Sequence, residues 1–194
     1  MRKWVPEFIA LPALTPALLP ALIAGMFAGT LTGAFSSQAV AAEINLNVTL
    51  PQINSAEYHR PYVAIWIEKP DQSVEKNLAV WYSQKKTDKG EQSDKWLKDL
   101  RQWWRKSGRD QAMPLDGVTG ATRPVGEHKL SFVEGKSPLG NLPAGQYNVV
   151  VESAREKGGR ELVRVPFTWP AQKVVTAKAS GQEELGEVAL EVKP

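Results

Sequence analysis

From residue 43 onward, apolar and polar residues alternate. In EINLNVTL, Glu43 to Leu50, the apolar positions Ile44, Leu46, Val48 and Leu50 fall on one side. A period of two marks a half-buried strand. YVAIWIEK, Tyr62 to Lys69, is apolar on both sides near Ile65, which suits a central strand covered on both faces. PDQS reads as a turn, and KNLAVWYSQ, Lys76 to Gln84, returns as the other arm of a hairpin. After the polar run KKTDKGEQ the period changes. In SDKWLKDLRQWWRKSG, residues Trp96, Leu97, Leu100, Trp103 and Trp104 recur at helical spacing and predict one aromatic face. Ser93 is the expected N-cap and Gly108 the stop. This predicts a helical insertion over about residues 93–107.

Period two then resumes. HKLSFVE is a fourth strand, and LPAGQYNVVVESARE enters a fifth with Tyr147, Val149 and Val151 on one face. Lys157-Gly158-Gly159 signals a hairpin into RELVRVPFTW. KVVTAKAS and LGEVALEVK add two strands around a turn at Gly181. Eight short strands with frequent turn signals predict a mainly β chain folded as a β-sandwich. The stretch LDGVTGATRPVGEH, Leu115 to His128, fits neither period and reads as a loop.

The N-terminus is of another kind. Arg2 and Lys3 precede a run without charge from Phe8 to Ala42, interrupted by Pro12, Pro16 and Pro20, and Ala39-Val40-Ala41 puts small residues where a signal peptidase reads. Residues 1–41 are therefore expected to be a cleaved signal peptide, with 42–194 as one exported domain. A retained membrane anchor is the alternative; the run is long enough, but three prolines suit a spanning helix poorly. Removing the leader takes the net charge from +3 to +2, too little to point to nucleic acid. Without cysteine there is no disulfide and no thiolate metal site.

Candidate chemistry narrows quickly. The histidines, His59 and His128, lack carboxylates at metal-ligand spacing, so no metal is expected. There is no G-x-S-x-G elbow. Glu183-Glu184 reads as a solvated loop, and EKGGRE lacks the P-loop lysine and spacing. No catalytic residue is assigned, and an electron carrier is expected rather than a catalyst. What remains is DGVTGAT, Asp116 to Thr122.

That heptapeptide resembles the attachment motif for covalent FMN: an aspartate, two variable residues, Ser or Thr, then Gly-Ala-Thr. Asp116, Thr119, Gly120, Ala121 and Thr122 match. Average residue usage gives such a match by chance on the order of once in a few thousand chains this long. The resemblance implies a phosphoester between FMN and the Thr122 hydroxyl, made outside the cytoplasm by an FMN transferase that uses FAD and magnesium. The candidates to cover the flavin ring are Trp96, Trp103 and Trp104, and those to face its phosphate are Arg123 and His128. More widely, PYVAIWIEKPDQSVEKNLAVWY, DGVTGATRPVGEHKLSF and LPAGQYNVVVESAREKGGRELVRVPF resemble the exported bacterial family DUF2271. That resemblance covers nearly all of the exported part. It implies a periplasmic protein associated with PepSY-type membrane proteins and flavin-based electron transfer, touching the membrane only through its leader or a partner. LPAGQY is also similar to the Ig-like domain of flagellar hook-capping proteins, which implies an Ig-like sandwich and nothing about function. Two other readings stand beside the carrier: a non-enzymatic Ig-like binding or assembly module, and a hydrolase or carbohydrate-binding domain using Trp81 and Tyr82 as surface aromatics.

Overall fold

The computed structural model describes residues 41–84 and 93–194. The expected leader, except its last residue, and the polar run at residues 85–92 lie outside the described residues. The strands are β1 Glu43–Leu50, β2 Tyr62–Glu68, β3 Val74–Tyr82, β4 Thr119–Ala121, β5 Gly126–Val133, β6 Gly145–Ala154, β7 Arg160–Trp169, β8 Val175–Ser180 and β9 Glu187–Lys193. They form a four-stranded sheet, β5-β1-β9-β8, and a five-stranded sheet, β4-β3-β2-β6-β7, packed as a sandwich. All eight expected strands are present. The ninth, β4, lies within the stretch expected to be a loop.

The alternation read in β1 faces the sandwich interior, where Ile44, Leu46, Val48 and Leu50 are buried. Against them pack Val63, Ile65 and Ile67 of β2 and Val149 and Val151 of β6, in one apolar cluster. Each such side chain contributes about 1.5–3 kcal/mol when removed from water. β2 lacks alternation because its other face is covered too. Ala64 and Trp66 meet Val80, Val150, Leu97, Leu100 and Trp103 in a second cluster, on the outer side of the five-stranded sheet. Trp81 and Tyr82, which the carbohydrate-binding alternative would need at the surface, are both buried. Their alternation runs between two covered faces, so they offer no exposed platform for a sugar.

The helical insertion forms this outer layer, but not as one helix. A 3-10 helix, Ser93–Asp99, precedes α1, Arg101–Lys106, and a further 3-10 turn, Gly108–Asp110, follows. Leu97, Leu100 and Trp103 are buried at intervals of three, the 3-10 period, whereas Trp96 is 46% exposed. The tighter winding rotates Trp96 off the docked face. Leu100, at the N-cap of α1, supplies no side-chain cap. Instead the buried Glu152 on β6 accepts the N–H groups of Gln102 and Trp103 at 2.8–3.1 Å. At the other end, Lys106 of α1 and Arg164 of β7 reach the buried Glu68 at 2.9 and 2.6 Å. Burial alone would raise the Glu68 carboxyl, but these two cations outweigh it and hold the carboxyl below its usual value. α1 ends at Lys106, and Gly108, the expected stop, instead opens the following 3-10 turn, where a Cβ would collide with the Trp103 ring.

Candidate functional site

The heptapeptide Asp116–Thr122 folds in two steps. Val118 and Thr119 donate their N–H groups to Leu115 O at 3.3 and 2.9 Å, and Thr119 Oγ1 accepts the Leu115 N–H at 2.8 Å. Gly117 closes this loop with a φ of +68°, a conformation glycine adopts without steric cost. The chain then pairs with β3. Val80 N–H donates to Val118 O at 2.9 Å and Thr122 N–H to Tyr82 O at 3.2 Å, so Thr119–Ala121 runs parallel to β3 with Gly120 opposite Trp81. Sequence periodicity cannot detect a strand of three residues whose central one is glycine.

The five matching positions divide by what they do inside the molecule. The Thr119 hydroxyl and N–H hold the loop. Gly120 lies close on Trp81: a Cβ would stand 3.3 Å from its Cδ1. Asp116 and Ala121 are exposed, and the Asp116 carboxylate makes no hydrogen bond or ion pair with a described residue. Thr122 is half-buried, its N–H is fixed, and the residue lines a cavity.

That cavity lies at the end of the five-stranded sheet where β3, β4 and β6 finish and β2 and β7 begin. It holds about 680 Å³, within the range of roughly 300–1,000 Å³ usual for small-molecule sites. Thr122, Ser83, Tyr62, Ala154 and Arg160 line it from the sheet, Trp96, Asp99 and Arg101 from the helical layer, and His59 and Arg60 from the segment before β2. From β4 to β6 are three strand steps, about 14 Å at 4.8 Å each.

Several lining charges are already committed. Arg155, beyond β6, makes two hydrogen bonds of 2.9 Å to the buried Glu184, which also accepts the Gly159 N–H. Lys157 pairs with Glu57, and Arg160 with Glu152, the carboxylate that caps α1. Arg60 and Arg101 pair with no described residue. Asp99 and Glu156 are the carboxylates of the lining. Burial pushes the Tyr62 phenol above its ordinary value, and it donates to Ser93 O at 3.3 Å. The cleft therefore combines Thr122, the partly exposed Trp96, a neutral phenol and two guanidinium groups that pair with no described residue.

Other expected contacts fall elsewhere. Trp103 is fully buried, its Nε1 donating to Asn77 Oδ1 at 2.9 Å, and Trp104 packs partly buried beside the second cluster. Of the three tryptophans only Trp96 lines the cleft. Arg123 and His128 gather instead on Trp81, the guanidinium 5.3 Å from the ring centroid and the imidazole edge-on at 5.6 Å. Among the described residues no three His, Cys, Asp or Glu side chains cluster for a metal. Sequence reasoning missed Arg60, Arg101 and Arg160, whose only signal was their position at or just before the start of an element. It also missed the tie of Glu184 to the β6–β7 turn.

Over residues 43–187 the chain matches the family described as predicted periplasmic proteins, DUF2271, and it belongs to that family. No curated protein matches it, and neither does any solved structure.

Proposed function

We propose that this chain is a periplasmic electron carrier, exported with removal of its leader, that bears FMN on Thr122. The observation that supports the reading is that Thr122, the last residue of the motif, lines the cleft. In the proposed modification Thr122 Oγ attacks the FMN phosphorus of FAD. A phosphoester bond to Thr122 forms, the pyrophosphate bond breaks, AMP leaves and the hydroxyl proton is released. The catalyst is an FMN transferase with magnesium.

The cleft residues have roles that follow from their chemistry. Arg60 and Arg101 carry the unpaired positive charge suited to the anionic phosphodiester. Trp96, which carries Lys95 and Lys98 at 5.1 and 5.8 Å from its ring centroid, is the indole at the cleft that would cover an aromatic ring. The tether keeps the cofactor on the protein outside the cytoplasm. Once bound, the flavin supplies the redox chemistry, taking two electrons from a donor such as a PepSY-type membrane protein and releasing them to an acceptor.

The test is intact mass after co-expression with an FMN transferase. The expected result is a gain of one FMN less one water, with yellow colour that stays on the denatured chain. Thr122→Ala abolishes both. An unmodified wild-type chain, or a modified Thr122→Ala chain, overturns the reading.

A further inference from the structure

We infer that Thr122 is an acceptor only in the folded chain, and that Trp81, outside the attachment motif, is the residue that positions it. The inference rests on the proposed modification of Thr122.

Trp81 is 2% exposed and belongs to the core between the sheets. Its indole touches the chain on both sides of the acceptor. Two residues before Thr122, Gly120 lies against the ring edge, where an added Cβ would be 3.3 Å from Cδ1 and 3.8 Å from Nε1. One residue after it, the Arg123 guanidinium lies over the ring at 5.3 Å. His128 packs edge-on against the same ring at 5.6 Å, and its Nε2 contacts Pro124 O at 2.7 Å. The backbone next to Trp81 adds the hydrogen bond from Thr122 N–H to Tyr82 O at 3.2 Å. The acceptor is thus held from both sides by one immobile ring and by β3.

An in-line attack on phosphorus depends on where the hydroxyl stands, and a misplacement of 1 Å can cost on the order of 100-fold in rate. In an extended, unpaired chain none of these contacts exists. The motif therefore divides its work. Thr119 and Gly120 build the strand, Trp81 fixes it, and Asp116, Ala121 and Thr122 remain for the transferase to read.

The experiment measures initial rates of FMN transfer to the full chain in vitro, with transferase, FAD and magnesium, by intact mass at several concentrations of this protein. Trp81→Leu is expected to lower kcat about 10- to 100-fold with little change in KM, and Trp81→Phe, which keeps an aromatic plane, restores most of the rate. Val188→Ala, in the core on β9 of the other sheet, controls for lost stability and keeps the wild-type rate. Arg123→Ala serves if Trp81→Leu does not fold, because it removes the exposed cap on the ring without touching the core. Its kcat is expected to fall about threefold or more, with an unchanged melting temperature. Folded Trp81→Leu or Arg123→Ala protein modified at the wild-type rate overturns the positioning role while leaving the Thr122 reading intact. A wild-type chain that accepts no FMN overturns both.

Discussion

The two faces of the five-stranded sheet are held by different physics. On the inner face Val63, Ile65, Ile67, Val149 and Val151 meet the other sheet through apolar contact alone. On the outer face the helical layer is apolar in the middle and ionic at its margins, where Glu152 takes two N–H groups of α1 and Arg160, and Glu68 takes Lys106 and Arg164. Apolar burial is nearly non-directional, so it fixes that two layers pack but only loosely where each residue sits. A buried carboxylate with several donors fixes position, because any shift leaves a charge unpaired. The cleft depends on that second kind of contact. Trp96, Asp99 and Arg101 reach it from the layer that Glu152 anchors, and Arg160, which pairs with the same carboxylate, reaches it from β7.

The largest expected effect comes from breaking one face at a time. Ile65→Ala should cost about 2–5 kcal/mol through the cavity it leaves. Glu152→Ala should cost about 3–5 kcal/mol, as expected when one partner of a buried charged group is removed. What separates them is where the loss appears. By hydrogen exchange, Glu152→Ala should expose the amides of Gln102 and Trp103 well before the sheet opens, because their acceptor is gone. Ile65→Ala should speed exchange across the sheets and leave those two amides no weaker than their surroundings. Equal loss of amide protection in both variants would mean that the two faces form one cooperative unit.

Much of this contrast was legible in the sequence, on one face only. Alternation in β1 and the lack of it in β2 gave the inner face and the presence of an outer layer. Glu68 and Glu152 were not legible as anchors. Each stands at or near the end of an apolar run, where a glutamate ordinarily turns to solvent; the cations that reach Glu68 lie 38 and 96 residues away, and the partners of Glu152 lie 8 to 50 away. The same separation hid the break at Leu100, since the cap of α1 is supplied by β6. The motif showed the converse. Its residue types were plain in the sequence, but its pairing with β3 and its place at the cleft depend on Trp81 and Tyr82.

A smaller effect distinguishes the faces by pH. The Glu68 carboxyl is held below its ordinary value of 4.5, since burial, which would raise it, is outweighed by Arg164 and Lys106. A carboxyl with a depressed folded-state value stabilises fully above its unfolded value, and that contribution is lost as pH falls through the folded one. The outer layer should therefore loosen in acid below about pH 4.5 while the apolar inner face is indifferent. Melting temperature against pH should show an acid limb that is shallower in Glu68→Gln. An identical limb in that variant would assign acid sensitivity to other carboxylates, such as Glu161, which accepts four backbone N–H groups from Gln182 to Leu185.

The smallest effect on stability belongs to the strand that joins the two faces at their edge. Gly120 of β4 lies against Trp81 of the inner cluster, while Leu115 and Val118 beside it pack against the outer one. Thr119→Val removes the acceptor of the Leu115 N–H and should cost about 0.5–1.5 kcal/mol, the net worth of one hydrogen bond. Asp116→Asn removes a charge that no described residue uses, so its melting temperature should match wild type within what about 0.5 kcal/mol produces. Both positions belong to the motif, and both substitutions should reduce FMN transfer, for different reasons. Thr119→Val acts through the fold, so its loss of transfer should come with increased exchange at the Thr122 amide. Asp116→Asn should lose transfer with that amide as protected as in wild type. If Asp116→Asn loses protection as well, the aspartate is part of the loop's structure and the division of the motif into folding and recognition residues is wrong. If it loses neither protection nor transfer, the transferase does not read it, and the match at Asp116 is coincidence.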